Sequence, residues 1–310
     1  MGGTVAPSRR SGTISAPSSA VASAAALQRA GRTMTRGKHR EPAQRDLSCP
    51  TTTATSLAGF IREVETIIQR WTPPRVDWYI SPWFRGHSNV EWDLDPGWYR
   101  QSAPGRKKGD AWYSEHNLLL EFKLRAPRYL PAQPATDWHW LFVMQHYGLP
   151  TRLLDWTESA LLGLYFAVRE NRQDTDAAVW VLNPWWLNNR SLQRREIPLA
   201  GDSQLAPWAP LSKRGRLEGT LPVAIRPVHG TQRIATQKGF FTVHGKQRGA
   251  LNTLSTLRVD NGPGLHLLRI PADAIVDIQR QLAIAGVTET PVFHDLDGLC
   301  REIKAAFFGV

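Results

Sequence analysis

The segment Thr151-Arg-Leu-Leu-Asp-Trp-Thr157 sets a carboxylate, Asp155, inside an apolar run, and this constrains the fold more than any other feature of the chain. Leu153, Leu154 and Trp156 read as a short buried strand closed by Thr157. Directly after it Ala160, Leu161, Leu164, Tyr165, Ala167 and Val168 recur at helical intervals, with Thr157 or Ser159 as N-cap, because a hydroxyl there accepts a bond from an otherwise unpaired helix N–H. A carboxylate within such a run needs a cation or several donors, since a buried unpaired charge is costly. Arg85 and Arg152 are the candidate partners. The pairing reads first as a structural clamp and second as a general base.

Around this unit the pattern alternates irregularly between helix and strand. Leu57, Phe60, Ile61, Val64, Ile67, Ile68 and Trp71 give one apolar helical face that Pro73-Pro74 ends. The aromatic run from Asp77 suits a strand terminating at Gly86. Helices are expected over about 113–129, 137–147, 272–285 and 295–308, and strands over 177–182, 221–225, 240–244 and 265–270. Residues 101–110 and 201–220 read as loops. Short strands mixed with helices favour an α+β fold over a repeating βαβ wind.

The chain carries a formal net charge of +11, which invites a nucleic-acid reading until the charge is mapped. Residues 1–50 hold eight Arg and Lys against two acids, a net +6, in a segment rich in Ala, Ser, Thr, Gly and Pro and without aromatics. Such a segment cannot bury enough apolar surface to offset its ordering entropy, so residues 1–54 are expected to form a disordered basic tail and residues 55–310 the folded domain. The Ala20–Ala26 stretch is too weakly apolar for a signal peptide, and Ala6 stands where a myristoylation motif has Ser or Thr. No stretch approaches eighteen uninterrupted apolar residues, so no membrane span is expected and the cytoplasm is the default location. The 2 Cys, Cys49 and Cys300, argue against a disulfide scaffold or a thiolate zinc site, and the 9 His show no metal-ligand spacing, so no metal is expected.

Three polar clusters end apolar runs. The first is Trp83-Phe84-Arg85-Gly86-His87, in which the glycine admits a ligand or another backbone. The second runs from Gln145 to Ser159 and holds His146, Arg152, Asp155, Thr157, Glu158 and Ser159 around one turn and one strand. His146 is a candidate base or ligand, or a partner of the helix dipole. The third, Gln232 to His244, is a polar turn leading into an aromatic strand. No P-loop, dinucleotide fingerprint, H-E-x-x-H or G-x-S-x-G motif is present.

The first two clusters resemble the FRG domain, a family named for its Phe-Arg-Gly. The resemblance rests on Phe84-Arg85-Gly86, Trp92-Asp93-Leu94, Pro96, Arg100, Glu115 and QHYGLPTRLLDWTESALLGLYFAV from Gln145, then Gln237-Lys238-Gly239-Phe240-Phe241 and the segment from Gly286 to Leu299. It covers most of residues 56–310, with a C-terminal helical extension, and departs from the pattern at His294, where Pro is expected. The order of these pieces also resembles ADP-ribosyltransferase-like folds. That likeness implies a single domain of short strands and flanking helices. By it Arg85 would hold the diphosphate or ribose of NAD, and Thr157 and Ser159 would brace the nicotinamide. The position of the family-type catalytic Glu is Gln237, which cannot act as a base, leaving Glu158, Asp155 or Glu115 to substitute.

The leading expectation is a domain that binds NAD, as substrate, or a related nucleotide. Its site comprises Arg85, His146, Arg152, Thr157 and Ser159 for binding and Asp155, Glu158 and Gln237 for chemistry. The reaction would be ADP-ribosyl transfer to a macromolecular acceptor, or NAD hydrolysis, in a toxin or phage-defence setting. The alternative is a non-catalytic module that binds nucleic acid or protein through the basic tail and exposed Trp. A metal-dependent nuclease using Asp155 and Glu158 is disfavoured by the small number of acids.

Overall fold

The computed structural model describes residues 49–72, 81–100, 114–171, 174–210, 217–227, 239–254 and 264–289, with single positions beyond. All of these belong to one compact unit, Leu47–Val310. The expected tail over residues 1–48, Gln237 and most of the segment from Gly286 to Leu299 that follows Glu289 lie outside the described residues.

Seven strands form one sheet: β1 (Thr51–Thr53), β2 (Trp83–His87), β3 (Leu153–Thr157), β4 (Ala177–Leu182), β5 (Val223–Ile225), β6 (Gly239–Val243) and β7 (Leu265–Ile270). Their order across the sheet is β1-β7-β4-β2-β3-β6-β5. Only β1 and β7 run parallel; every other neighbouring pair is antiparallel. The helices are α1 (Leu57–Trp71), the single turn α2 (Gly97–Arg100), α3 (Glu115–Arg125), α4 (Asp137–His146), α5 (Ala160–Val168), α6 (Pro184–Leu192) and α7 (Ile275–Ile284). The protein is thus a mixed α and β fold around a seven-stranded sheet.

Most of these elements follow from local chemistry. Ser56 caps α1 by accepting from Gly59 N at 3.1 Å, and Phe60, Val64 and Ile67 are the face it buries. Ser159, rather than Thr157, caps α5, accepting from Leu162 N at 3.3 Å. Two elements depart from the sequence reading. Thr51–Thr53, assigned to the tail, is an edge strand in register with Leu267, Leu268 and Arg269; three β-branched residues favour an extended chain once a partner edge is present. Helix α6 was not anticipated: Pro184 opens it and Asn183 caps it, accepting from Trp186 N at 3.0 Å.

Strand alternation divides the core between the two faces of the sheet. On one face Phe84, Val179, Val181, Leu268 and Ile270 pack against α1, α5 and α7. On the other Trp83, Leu154, Trp156, Trp180, Leu182 and Leu267 pack with Leu187 of α6. Helix α4 covers a separate cluster, setting Trp138, Leu141 and Phe142 against Val223, Ile225, Phe241 and Val243. Strand β4 is buried along its whole length, as a central strand should be.

Strand β2 continues past Gly86 to His87, so the glycine does not terminate it. Gly86 is needed because α5 lies directly on β2. A Cβ there would overlap the Gly163 carbonyl oxygen and the Ala167 nitrogen, while a Cβ on Gly163 would sit 2.7 Å from Phe84 Cβ. Gly86→Ala should therefore force α5 off the sheet and cost about 1–3 kcal/mol or more. Urea denaturation of this variant and of Gly163→Ala checks it, and a midpoint unchanged from wild type in either would contradict the packing.

Candidate functional site

Strands β2 and β3 share a single ladder pair, Phe84 with Thr157, whereas β2 with β4 and β3 with β6 each pair over five residues. Past the point where the β2–β3 ladder stops, the side chain of Arg85 takes over the link. Its Nη1 donates to the Asp155 carbonyl oxygen at 2.8 Å and lies 3.7 Å from Asp155 Oδ2. Its Nε donates to His87 Nε2 at 3.1 Å, and His87 Nδ1 lies 3.2 Å from the Trp92 carbonyl oxygen. His87 must therefore carry its proton on Nδ1, which donates to Trp92, leaving Nε2 as acceptor. Burial, and then the Arg85 charge, push the His87 pKa down to about 3, which keeps the ring neutral as this role requires. Burial also lowers the Arg85 pKa, and Asp155 opposes that shift; the guanidinium remains charged. Its Nη2 has no partner among the described residues.

A cavity of about 400 Å³ opens beside this link, between α4 and α5 and over β2, β3 and β6. Its polar lining is Arg85, Ser88, Gln145, His146, Asp155 and Thr157, with Arg169 and Glu170 at the end of α5. Its walls are aromatic: Phe84, Phe142, Phe166, Phe240 and Phe241 face it, with Phe142 and Phe241 stacked at 4.8 Å. A cavity of this volume, with apolar walls and a few convergent polar groups, has the character of a small-ligand site.

Asp155 corrects the expectation of a buried carboxylate, because its side chain is 54% exposed. The strand itself is buried, but alternation turns Leu154 and Trp156 into the second core and directs Asp155 to the opposite side, where the cavity lies. Its cationic partner is Arg85. Arg152 lies elsewhere: it is 4% exposed and pairs with Glu115, Nε to Oε2 at 2.5 Å, while its Nη1 donates to the His244 carbonyl oxygen at 2.6 Å. The backbone N–H of Arg152 also donates to Glu115 Oε1 at 3.0 Å. Arg152 thus ties α3 to the β3 and β6 ends as a buried clamp, the role the sequence reading considered for Asp155.

The structure therefore brings Arg85, His146, Asp155 and Thr157 together, and Arg152, Glu158 and Ser159 are not among the residues lining the cavity. Thr157 Oγ1 accepts from Ser159 N at 3.1 Å, and the Ser159 hydroxyl serves the α5 cap. Gln237 is outside the described residues, although Gly239 and Phe240 just after it line the cavity. Sequence reasoning gave Gln145 no role and missed Phe166, Arg169 and Glu170. Their signal was the i, i+3, i+4 spacing from Phe166 at the α5 terminus, which places all three on one side of the helix. His244, from the third cluster, is fully buried, and neither ring nitrogen has a partner among the described residues. Burial, then Arg152 and Arg85, lower its pKa to about 3.

A mixed sheet that opens at an arginine, beside an aromatic-walled cavity lined by Asp155 and Glu170, defines an α and β domain with a candidate small-ligand site. Residues 81–176 match the family model of the FRG domain, so the chain carries an FRG domain. That span includes every polar side chain of the cavity lining, from Arg85 to Glu170. No curated protein and no solved structure matches the chain. Among the described residues no helix is long and apolar enough to cross a membrane.

Two measurements test this arrangement. Glu115→Leu leaves the Arg152 guanidinium buried without its counter-charge and should cost about 3–5 kcal/mol in chemical denaturation. His87 and His244 both titrate far below the ordinary value of 6.5 when folded. The unfolded chain therefore binds protons that the folded chain refuses between about pH 6.5 and pH 3. Their contribution is complete above pH 6.5 and is lost as pH falls, on the order of a few kcal/mol each. Thermal melts should show Tm falling as pH drops from 7 to 5, with a shallower fall in His244→Leu; parallel pH profiles would contradict the assignment.

Proposed function

We propose that the FRG domain binds NAD or a related nucleotide in the cavity beside Arg85 and cleaves the bond between nicotinamide and ribose. The observation that carries this reading is the pairing of opposite charges 3.7 Å apart at the cavity, Arg85 with a free guanidinium edge and Asp155 with an exposed carboxylate. A nucleotide diphosphate suits the first, because a forked guanidinium binds phosphate oxygens in pairs. A ribose centre that becomes cationic suits the second, because a fixed carboxylate stabilises charge as it develops. The stacked Phe142 and Phe241 offer an aromatic wall to a flat base. A cavity of about 400 Å³ takes one nucleoside end of a dinucleotide, with the rest extending outward.

In the reaction the bond from ribose C1′ to the nicotinamide nitrogen breaks, and its electron pair leaves with the ring, which becomes neutral. Water or a nucleophile on a macromolecular acceptor then forms the new bond to C1′, and its proton passes to Asp155 or to solvent. Asp155 takes the part that the uncharged Gln237 cannot. Thr157, buried at the cavity floor, braces the leaving group. An arginine on β2 that reaches the cavity, with β3 ending in Thr157 before a capped helix, supports the likeness to ADP-ribosyltransferase-like folds. An effector acting in toxin or phage-defence biology suits this chemistry.

Incubation with NAD, following nicotinamide release with and without cell extract, tests the reading. Wild type should release nicotinamide, Asp155→Asn should be slower by about 100-fold or more, and Arg85→Ala should lose both turnover and calorimetric binding. Absence of both release and NAD binding in the wild type overturns the proposal.

A further inference from the structure

We propose that Gln145 and Thr151 are positioning residues for Asp155, forming a relay that presents the carboxylate to the cavity as an acceptor. The proposal deepens the ligand site above and rests on it for its functional meaning.

The relay follows from counting donors and acceptors. Leu153 N–H donates to Thr151 Oγ1 at 3.1 Å. Thr151 is fully buried, so its own hydroxyl proton has no water to turn to, and it points at Gln145 Oε1, 2.5 Å away. That bond decides which way round the amide sits, since the oxygen of Gln145 is already committed to Thr151. Gln145 Nε2 is left facing Asp155 Oδ2 at 2.7 Å. The flipped amide would set its oxygen against the Asp155 carboxylate and leave the buried Thr151 hydroxyl proton without Gln145 Oε1 as its acceptor. One backbone N–H at the start of β3 is thus transmitted through two side chains to the carboxylate two residues further along the same strand.

The consequence concerns Arg85. Asp155 Oδ2 accepts from Gln145 and stands 3.7 Å from Nη1, outside hydrogen-bond distance. The Gln145 donor thus engages the carboxylate oxygen that faces the guanidinium at ion-pair range. The groups that face the same cavity are Arg85 from β2, His146 from α4, Thr157 from β3, and Arg169 and Glu170 from the end of α5. Among the described residues Gln145 is the side chain in hydrogen-bond contact with the Asp155 carboxylate.

The test is the titration of the Asp155 carboxyl carbon by NMR in the full chain labelled on aspartate, with the resonance assigned by Asp155→Asn. Gln145→Glu replaces the donor by a like charge of the same shape and should raise the Asp155 midpoint by about one pH unit or more. Thr151→Val, which removes the hydroxyl but not the volume, should move it in the same direction by less, and Thr151→Ser should keep the wild-type midpoint. Equal midpoints in wild type and Gln145→Glu overturn the proposal, as does a Thr151→Ser shift as large as that of Thr151→Val. Gln145 is half-buried, so if Thr151→Val does not fold, the Gln145→Glu midpoint decides alone. No nucleotide is used in this titration, so its failure is distinct from a failure to release nicotinamide.

Discussion

Helix α5 touches β2 backbone to backbone, at Gly86 and Gly163, and the site depends on that contact. A helix separated from a sheet by ordinary side chains would stand about a residue's width higher and would leave Phe166, Arg169 and Glu170 far from the strand ends. With no Cβ on either glycine, the helix terminus lies low enough for these three to share a cavity with Arg85 and Asp155. The glycine of the Phe-Arg-Gly motif is therefore explained by packing, and the arginine before it is the member that lines the cavity with a charge.

The second constraint is the break between β2 and β3. A sheet that continued pairing there would fill the gap with backbone bonds and leave no polar opening. One ladder pair followed by an arginine bridge gives a seam that is held together yet carries charge. The neutral His87 acts as the acceptor that aims the guanidinium, and the Gln145 amide holds the carboxylate. On the other side, the Arg152–Glu115 clamp ties α3 to the same strand, so that β3 is fixed by one buried pair and offers one exposed carboxylate. The two arginines of the motif region thus differ in what they meet: Arg152 is held by Glu115 as a buried clamp, whereas Arg85 reaches the cavity through the opening between β2 and β3.

Much of the architecture was legible in the chain. Strands β4 and β7 were read to the residue, and α1, α4 and α5 within a residue or two, because their runs are apolar and the helices are capped by Ser or Thr. Helix α6 and strand β1 were not read. The first is a largely polar segment opened by a proline, and the second is three threonines that become a strand only beside β7. Of the site, Arg85, His146, Asp155 and Thr157 were found because polar groups at the ends of apolar runs stand out. Phe166, Arg169 and Glu170 were passed over because at a helix terminus an aromatic and an ion pair resemble ordinary core and surface.

The sequence by itself determined that a short strand carrying Asp155 is followed by a capped apolar helix, and that the Phe-Arg-Gly strand belongs with them. Periodicity and capping are local, so a linear chain displays them. Which arginine meets Asp155 was decided only in three dimensions. Arg152 is three residues from Asp155 and Arg85 is seventy, yet strand alternation turns Arg152 towards Glu115 and away from the cavity, while the opening between β2 and β3 brings Arg85 to the carboxylate. Pairing of charges across a sheet depends on register and on where a ladder stops, and neither is written in the spacing of residues along the chain.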